Sequence, residues 1–387
     1  KNLQLISAKL GIPMNSYSPP HFEFRFRENP HEMFAQWGQQ EPFKSGNRWI
    51  IVNHNDAKTA LRFKQVSKQI PGVSGEGLER SPLLFRDAPD HGRIRGVATK
   101  HLTPDAIASL QEELMNELDL LVAQLPEPGT PWEFVEQFAS RVPSLAVGIL
   151  LGIPKEQHHF MQTLAHRYVE SSDPENAGKA GAESPENIRE GLLTFFENML
   201  GERNRSGLLN ALMVARDEQK LSHLETLTFA SSLVIGGLET SANVFSTGMK
   251  HLIENPELQA KLRKNPSRMA IAVEEMLRLE PSALYSTYRK TTAPLQLSAV
   301  TIPEGEEILV AIAAANRDPK VFRAPNEMLL DRTDNPHLSF GGGSHFCLGS
   351  WLVRMELTEA FNRLLQRYER LEFASMKAPW PSLFRQA

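Results

Sequence analysis

From Ser222 to Asn255 the chain carries one helical pattern that sets the scale of any fold it can adopt. Ser222 with Glu225 three residues on is a capping-box signature, and Asn255-Pro256 is a stop. Between them lie about 33 residues, or ~50 Å at 1.5 Å per residue, enough to cross a whole domain. In the middle stands Gly236-Gly237-Leu238-Glu239-Thr240. Two interior glycines cost roughly 1 kcal/mol each relative to alanine, which points to a need for the space they leave. An acid and an alcohol just past that gap could relay protons to a ligand. The alternative is that Thr240 bonds the carbonyl four residues back and Glu239 faces solvent.

Around this helix the pattern is mainly helical, from about residue 103 to 281, with Pro281 ending the last helix of the run. Strand signals concentrate at about residues 45–70, around Trp49-Ile50-Ile51-Val52, and at about 285–315, where Ile302-Pro303-Glu304-Gly305 supplies a turn. The segment 171–187, rich in Pro, Gly and Ser, reads as a surface linker between helices. The fold class expected is mainly α with small β-sheets.

One cysteine, Cys347, serves 387 residues, so no internal disulfide is possible. It is then a buried inert thiol, a nucleophile or a metal ligand. It stands in Phe340-Gly341-Gly342-Gly343-Ser344-His345-Phe346-Cys347-Leu348-Gly349, ahead of an amphipathic helical pattern through Trp351, Met355, Phe361 and Leu365. A cysteine at a helix N-terminus feels the positive end of the dipole, which favours thiolate. Anionic sulfur on a tight glycine-rich loop suits an axial iron ligand.

This loop resembles the haem-binding loop of the cytochrome P450 superfamily: Phe, two residues, Gly, three residues, Cys, one residue, Gly. Phe340, Gly343, Cys347 and Gly349 match it, and His345 matches the histidine of the soluble bacterial form. The resemblance runs from about Phe34 to Arg385 and implies one triangular-prism domain over residues 1–387, with the haem loop at 340–349. Members commonly carry a final strand pair beyond Arg385, so the chain is expected to stop short of it.

Glu275-Met276-Leu277-Arg278 sets opposite charges on one helical face. Alone it reads as an exposed salt bridge, but Ala270, Ile271, Val273, Met276, Leu277 and Leu279 make the helix apolar nearly all round and suggest burial. Glu275 and Arg278 match the family's structural glutamate-x-x-arginine pair, with Arg332 as the expected second arginine. Glu327 stands where the family's proline-x-arginine-phenylalanine segment has arginine, which leaves the third member of the network open. The middle of the long helix resembles the oxygen-activation motif. By that likeness Gly236 and Gly237 open an oxygen pocket, and Thr240 and Glu239 deliver the protons that split the O–O bond.

The resemblance also implies haem b as cofactor, O2 as co-substrate, and propionates held by His91, Arg95, Arg289 and His345. Leu83, Leu84, Leu233, Val234, Gly237, Ser282, Ala283, Leu284 and Tyr285 are expected to face a largely hydrophobic small molecule, though core packing explains Leu233 and Val234 equally well. No flavin or iron–sulfur motif is present, so electrons from NAD(P)H are expected through a ferredoxin or flavodoxin and its reductase, docking near Arg93, Lys100, Arg317, Lys320 and Arg354.

A net charge of −4 argues against nucleic acid as partner. No apolar run approaches the ~20 residues of a membrane span, so no membrane anchor is expected. Cysteine poverty fits a reducing cytoplasm. The activity expected is monooxygenation. The alternatives are a haem-thiolate isomerase or peroxide-driven oxidase, neither of which needs Glu239 and Thr240, or a non-catalytic haem sensor.

Overall fold

The computed structural model describes Phe34, Trp37 and residues 40–70, 82–172, 183–201 and 206–374. Most of the expected linker at 171–187 lies outside the described residues. Thirteen α-helices occur among the described residues. The first four are α1 (His54–Arg62), α2 (Asp90–Thr99), α3 (Pro104–Ala108) and α4 (Gln111–Ala123). Then follow α5 (Arg141–Leu151), α6 (Lys155–Ser171), α7 (Pro185–Gly201), α8 (Gly207–Asp217) and α9 (His223–Glu254). The last are α10 (Pro256–Lys264), α11 (Met269–Leu279), α12 (Ile312–Ala315) and α13 (Ser350–Arg367).

The long pattern is α9, 32 residues in one element. Its capping box forms as read, with Ser222 Oγ accepting from Glu225 N and the Glu225 carboxylate accepting from Ser222 N. The same buried carboxylate binds Arg86 and Arg93, so one acid caps the helix and ties it to α2. α9 packs on α5, α6 and α7, and Phe245 meets Phe138 and Phe361 in the main core.

The strands are β1 (Phe43–Ser45), β2 (Arg48–Ile51), β3 (Val66–Ser67), β4 (Lys290–Thr291), β5 (Leu295–Gln296), β6 (Thr301–Ile302) and β7 (Glu307–Val310). Five form one sheet in the order β1-β2-β7-β4-β3, and β5 pairs with β6. β2 and β7 run parallel with Ile50 opposite Leu309, which buries one small core against α1 and another beneath Phe34 and Tyr285. The region read as strand-rich at about 285–315 therefore splits into four short strands, β4 to β7. Among the described residues no single helix is long and apolar enough to cross a membrane.

Glu356 on α13 is fully enclosed beside Ser241 of α9, and burial pushes its carboxyl up to about 8, against a weaker pull from the Ser241 hydroxyl. Folding therefore retains a proton that the unfolded chain releases above its ordinary carboxylate range. Stability is unaffected below that range and falls as pH rises toward about 8. Glu356→Gln is expected to flatten this fall: melting temperatures of variant and parent should diverge, in favour of the variant, between mildly acidic and alkaline pH. Parallel melting curves across that window would contradict it.

Candidate active site

Gly341 and Gly343 take left-handed φ values of 69° and 67°, which only glycine adopts cheaply. A Cβ on Gly343 would stand 2.9 Å from Leu61 O, so the loop lies directly against the end of α1. Cys347 N–H donates to Phe340 O at 2.8 Å and closes the loop, and Gly349 is the N-cap of α13. Burial pushes the Cys347 thiol up; the Gly349 amide, Arg95 and Arg354 pull it back only in part. Burial thus opposes the thiolate that the helix N-terminus was expected to favour. A cation on the sulfur reverses that balance, because a coordinating thiol is deprotonated outright.

Phe340 is held from behind. The Arg354 guanidinium lies 4.6 Å from its ring centre and 5.4 Å from that of Trp351. Glu274 accepts from Arg354 Nε at 2.6 Å and from Arg354 Nη2 at 3.0 Å, and pairs with His337 Nε2 at 3.0 Å. Burial raises the Glu274 carboxyl, but these partners outweigh it and hold the group at about 2. Beside Glu275 in sequence, Glu274 had no pattern of its own to mark it.

The Glu275–Arg278 pair is fully buried, both side chains at 0% exposure. Arg278 Nε and Nη2 donate to the two carboxylate oxygens at 2.7 and 2.9 Å. Arg332 Nε donates to Glu275 Oε1 at 2.9 Å, as anticipated, and Asn335 Nδ2 (3.0 Å) and Leu329 N (2.9 Å) complete the shell. Arg278 also donates to the carbonyls of Asn316, Pro325 and Glu327. Glu327 thus joins through its backbone. The Phe322 ring lies 5.2 Å from Arg278 and 5.7 Å from Arg332. The open third place is taken by Asn335 and the backbone of the approach to the loop.

His91, Arg95, Arg289 and His345 come from three segments to one place. The His91 and His345 rings are 4.0 Å apart, and Arg95 Nη2 donates to Phe346 O at 2.7 Å. His91 Nε2 and Arg289 Nε are buried with no hydrogen-bond partner among the described residues. Burial first, then the charges of His91, Lys68, Arg289 and Arg95, pushes His345 down to about 2; burial alone lowers Arg289 to about 10. Orphaned donors under mutual repulsion are a receptor for anions.

On α9, Gly236 has open space where a Cβ would stand, whereas one on Gly237 would meet Val147 at 2.7 Å. Gly237 therefore lets α5 approach closely, and the open space lies at Gly236. Thr240 Oγ1 donates to Gly236 O at 2.6 Å, the self-bonding arrangement, and Ser282 Oγ donates to Thr240 O. Glu239 faces His166 of α6, Oε1 to Nδ1 3.2 Å. Of the residues expected to face substrate, Leu83, Leu84, Leu233, Ser282 and Ala283 keep accessible surface. Val234, Leu284 and Tyr285 are core residues, Tyr285 packed on Phe34 and Trp37. Sequence could not separate the two groups because both are mainly apolar. Three of the cations expected to receive an electron carrier are spoken for: Arg93 by Glu225 and Asp90, Arg317 by Glu280, Arg354 by Glu274. Lys100 and Lys320 are exposed.

Comparison with known proteins decides the family. The model of the family described as cytochrome P450 matches residues 155–386. The chain belongs to the cytochrome P450 family. It is an oxidoreductase of the monooxygenase class, which uses haem and O2 on small molecules with electrons from redox partners. This P450 is 30% identical to the biotin biosynthesis cytochrome P450 of Bacillus subtilis (strain 168) over 376 residues, covering 93% of this chain and 94% of that one. It is 31% identical to cytochrome P450 monooxygenase PikC of Streptomyces venezuelae over 356 residues, covering 88% and 84%. Among solved structures, P450BioI in complex with an acyl carrier protein ligated to hexadec-9Z-enoic acid superposes with a TM-score of 0.83 at 28% identity, covering 92% of this chain and 95% of that one. Haem suits the site described here: a sulfur donor on the loop and unpartnered buried donors beside it match an iron centre flanked by carboxylates.

Proposed function

We propose that this P450 inserts one oxygen atom from O2 into a largely hydrophobic small organic molecule in the cytoplasm. Electrons come from NAD(P)H through a separate ferredoxin or flavodoxin and its reductase. The observation that carries the reading is the convergence of His91, Arg95, Arg289 and His345 beside the Cys347 loop. Arg95, Arg289 and the two histidines hold the haem propionates, and Cys347 is the iron ligand. Bound there, haem would supply O2 binding and reduction, with charge from the Cys347 sulfur favouring O–O cleavage. Gly236 leaves room beside it. Leu83, Leu84, Leu233 and Ala283 exclude water around an apolar substrate, which the acyl chain held by P450BioI supports as a class. Glu239, at the solvent side next to His166, supplies protons, and Thr240 passes them inward once its hydroxyl turns from Gly236 O.

Thr240→Ala tests the relay in holoenzyme reconstituted with both electron carriers and a substrate found by spin-state screening. Substrate binding and NAD(P)H consumption should stay close to the parent, while product per NAD(P)H falls several-fold and hydrogen peroxide rises to match. An unchanged ratio would reduce Thr240 to a helix residue. Turnover sustained equally by hydrogen peroxide without carriers would assign the peroxide-driven alternative.

A further inference from the structure

Glu239 has a histidine at its solvent side that no motif of the helix names. His166 stands on α6, which packs along α9. Its Nδ1 lies 3.2 Å from Glu239 Oε1, and its Nε2 lies 3.5 Å from Glu170 Oε1, one turn further along α6. Each ring nitrogen therefore faces a carboxylate. A neutral imidazole has one N–H and one lone pair, so it would set that lone pair against an anion; only the imidazolium donates to both. The charges acting on the ring are Glu239 from α9, Glu170 from its own helix and Glu136 from the turn Val135–Ala139. All three are carboxylates, and α5 and α7, the other helices packed on α6, supply none of them. Arg167, next in sequence, donates to Glu183 instead. The hydrogen bond to Glu239 first, then the attraction of the three carboxylates, outweighs burial and holds the proton on His166 beyond the ordinary histidine range.

Water reaches this pair from the histidine side: the His166 side chain is 57% exposed and that of Glu239 only 19%. A proton arriving from solvent meets the imidazolium first and the carboxylate second. Thr240 follows Glu239 directly, with its hydroxyl on Gly236 O beside the open space. Histidine suits the entry position because its charge changes nearest neutral pH, so it can both hold a proton and release it there. Lysine or arginine would tie down Glu239 equally well but would part with a proton far more reluctantly.

We infer, on the reading that Glu239 supplies protons to the oxygen site, that His166 positions Glu239 and recharges it from solvent. His166 gives its Nδ1 proton to Glu239 Oε1: the N–H bond breaks, an O–H bond forms, and imidazolium and carboxylate become a neutral pair. Glu239 passes a proton towards Thr240 and is a carboxylate again, and the ring takes a proton back from water. No electrons move in either step.

The test follows the ring and the turnover separately, in holoenzymes of the parent, His166→Gln, His166→Lys and Glu239→Gln. The ferrous carbonyl form, isotope-labelled at histidine Cε1, is titrated by NMR, the His166 signal being the one absent from His166→Gln. Its midpoint should lie above that of an ordinary histidine and should drop in Glu239→Gln. Oxygen consumption is then measured against pH, with both electron carriers in excess and the substrate found by spin-state screening. The parent rate should fall as pH rises through the midpoint seen by NMR, because the unprotonated ring has no proton to give. His166→Gln keeps a hydrogen bond but no transferable proton. It should run about tenfold slower and lack that inflection, short of the full weight of a general acid because water still reaches Glu239. His166→Lys should be as slow. A midpoint indifferent to Glu239→Gln, or a parent-like rate in His166→Gln, would overturn the inference. A parent-like rate in His166→Lys would overturn it too, leaving His166 a cation that only holds Glu239 in place. Parent-like oxygen consumption in Glu239→Gln would overturn the relay through Glu239 itself, and the role of His166 with it.

Discussion

Glu275→Ala and Arg278→Ala should each yield protein that fails to load haem, rather than a loaded enzyme with slower chemistry. Glu275 receives five hydrogen bonds, two from Arg278 and one each from Arg332, Asn335 and Leu329 N. Desolvation would raise this carboxyl, yet those partners hold it below the ordinary range. Removing either charge strands the other in a water-free site at a cost of about 3–5 kcal/mol. That is a large fraction of the roughly 5–15 kcal/mol by which a folded domain is stable. The loss falls on the segment from Asn316 to Asn335 that leads into the cysteine loop, because Arg278 grips the carbonyls of Asn316, Pro325 and Glu327 along it. The ratio of haem to protein absorbance in freshly purified protein measures the effect. Arg332→Lys should be milder, since an amine keeps the charge but loses the planar fork. Soluble Glu275→Ala with a full haem complement would contradict the account.

What the sequence disclosed here depended on how local each signal was. The capping box at Ser222 and Glu225, the run of α9 and the Glu275–Arg278 pair were legible because each is written within one helix. Arg332 was legible through its place ahead of the loop. Asn335, Leu329 N and the three carbonyls gripped by Arg278 were not, since backbone acceptors carry no residue signature. Lys68 follows a two-residue strand whose partner, β4, lies far along the chain, so its burial beside Thr287 and Arg289 left no periodic trace. Tyr285 and Leu284 resembled pocket residues by position and chemistry; only the packing of Phe34 and Trp37 over Tyr285 assigns them to the core. Gly236 and Gly237 were a single signal in sequence and have two different surroundings in space.

Cys347→Ala should abolish activity outright, because the sequence has no second cysteine to supply a thiolate. The sulfur sits on a loop that Gly341, Gly343 and the Phe340 carbonyl leave little freedom to rearrange. The most direct measurement is the absorbance spectrum of the reduced protein under carbon monoxide. Wild type should show the red-shifted Soret band of thiolate ligation, and Cys347→Ala should lose it. A histidine-type carbonyl spectrum in the wild type, or a thiolate-type band that survives in Cys347→Ala, would contradict the assignment of Cys347 as the iron ligand.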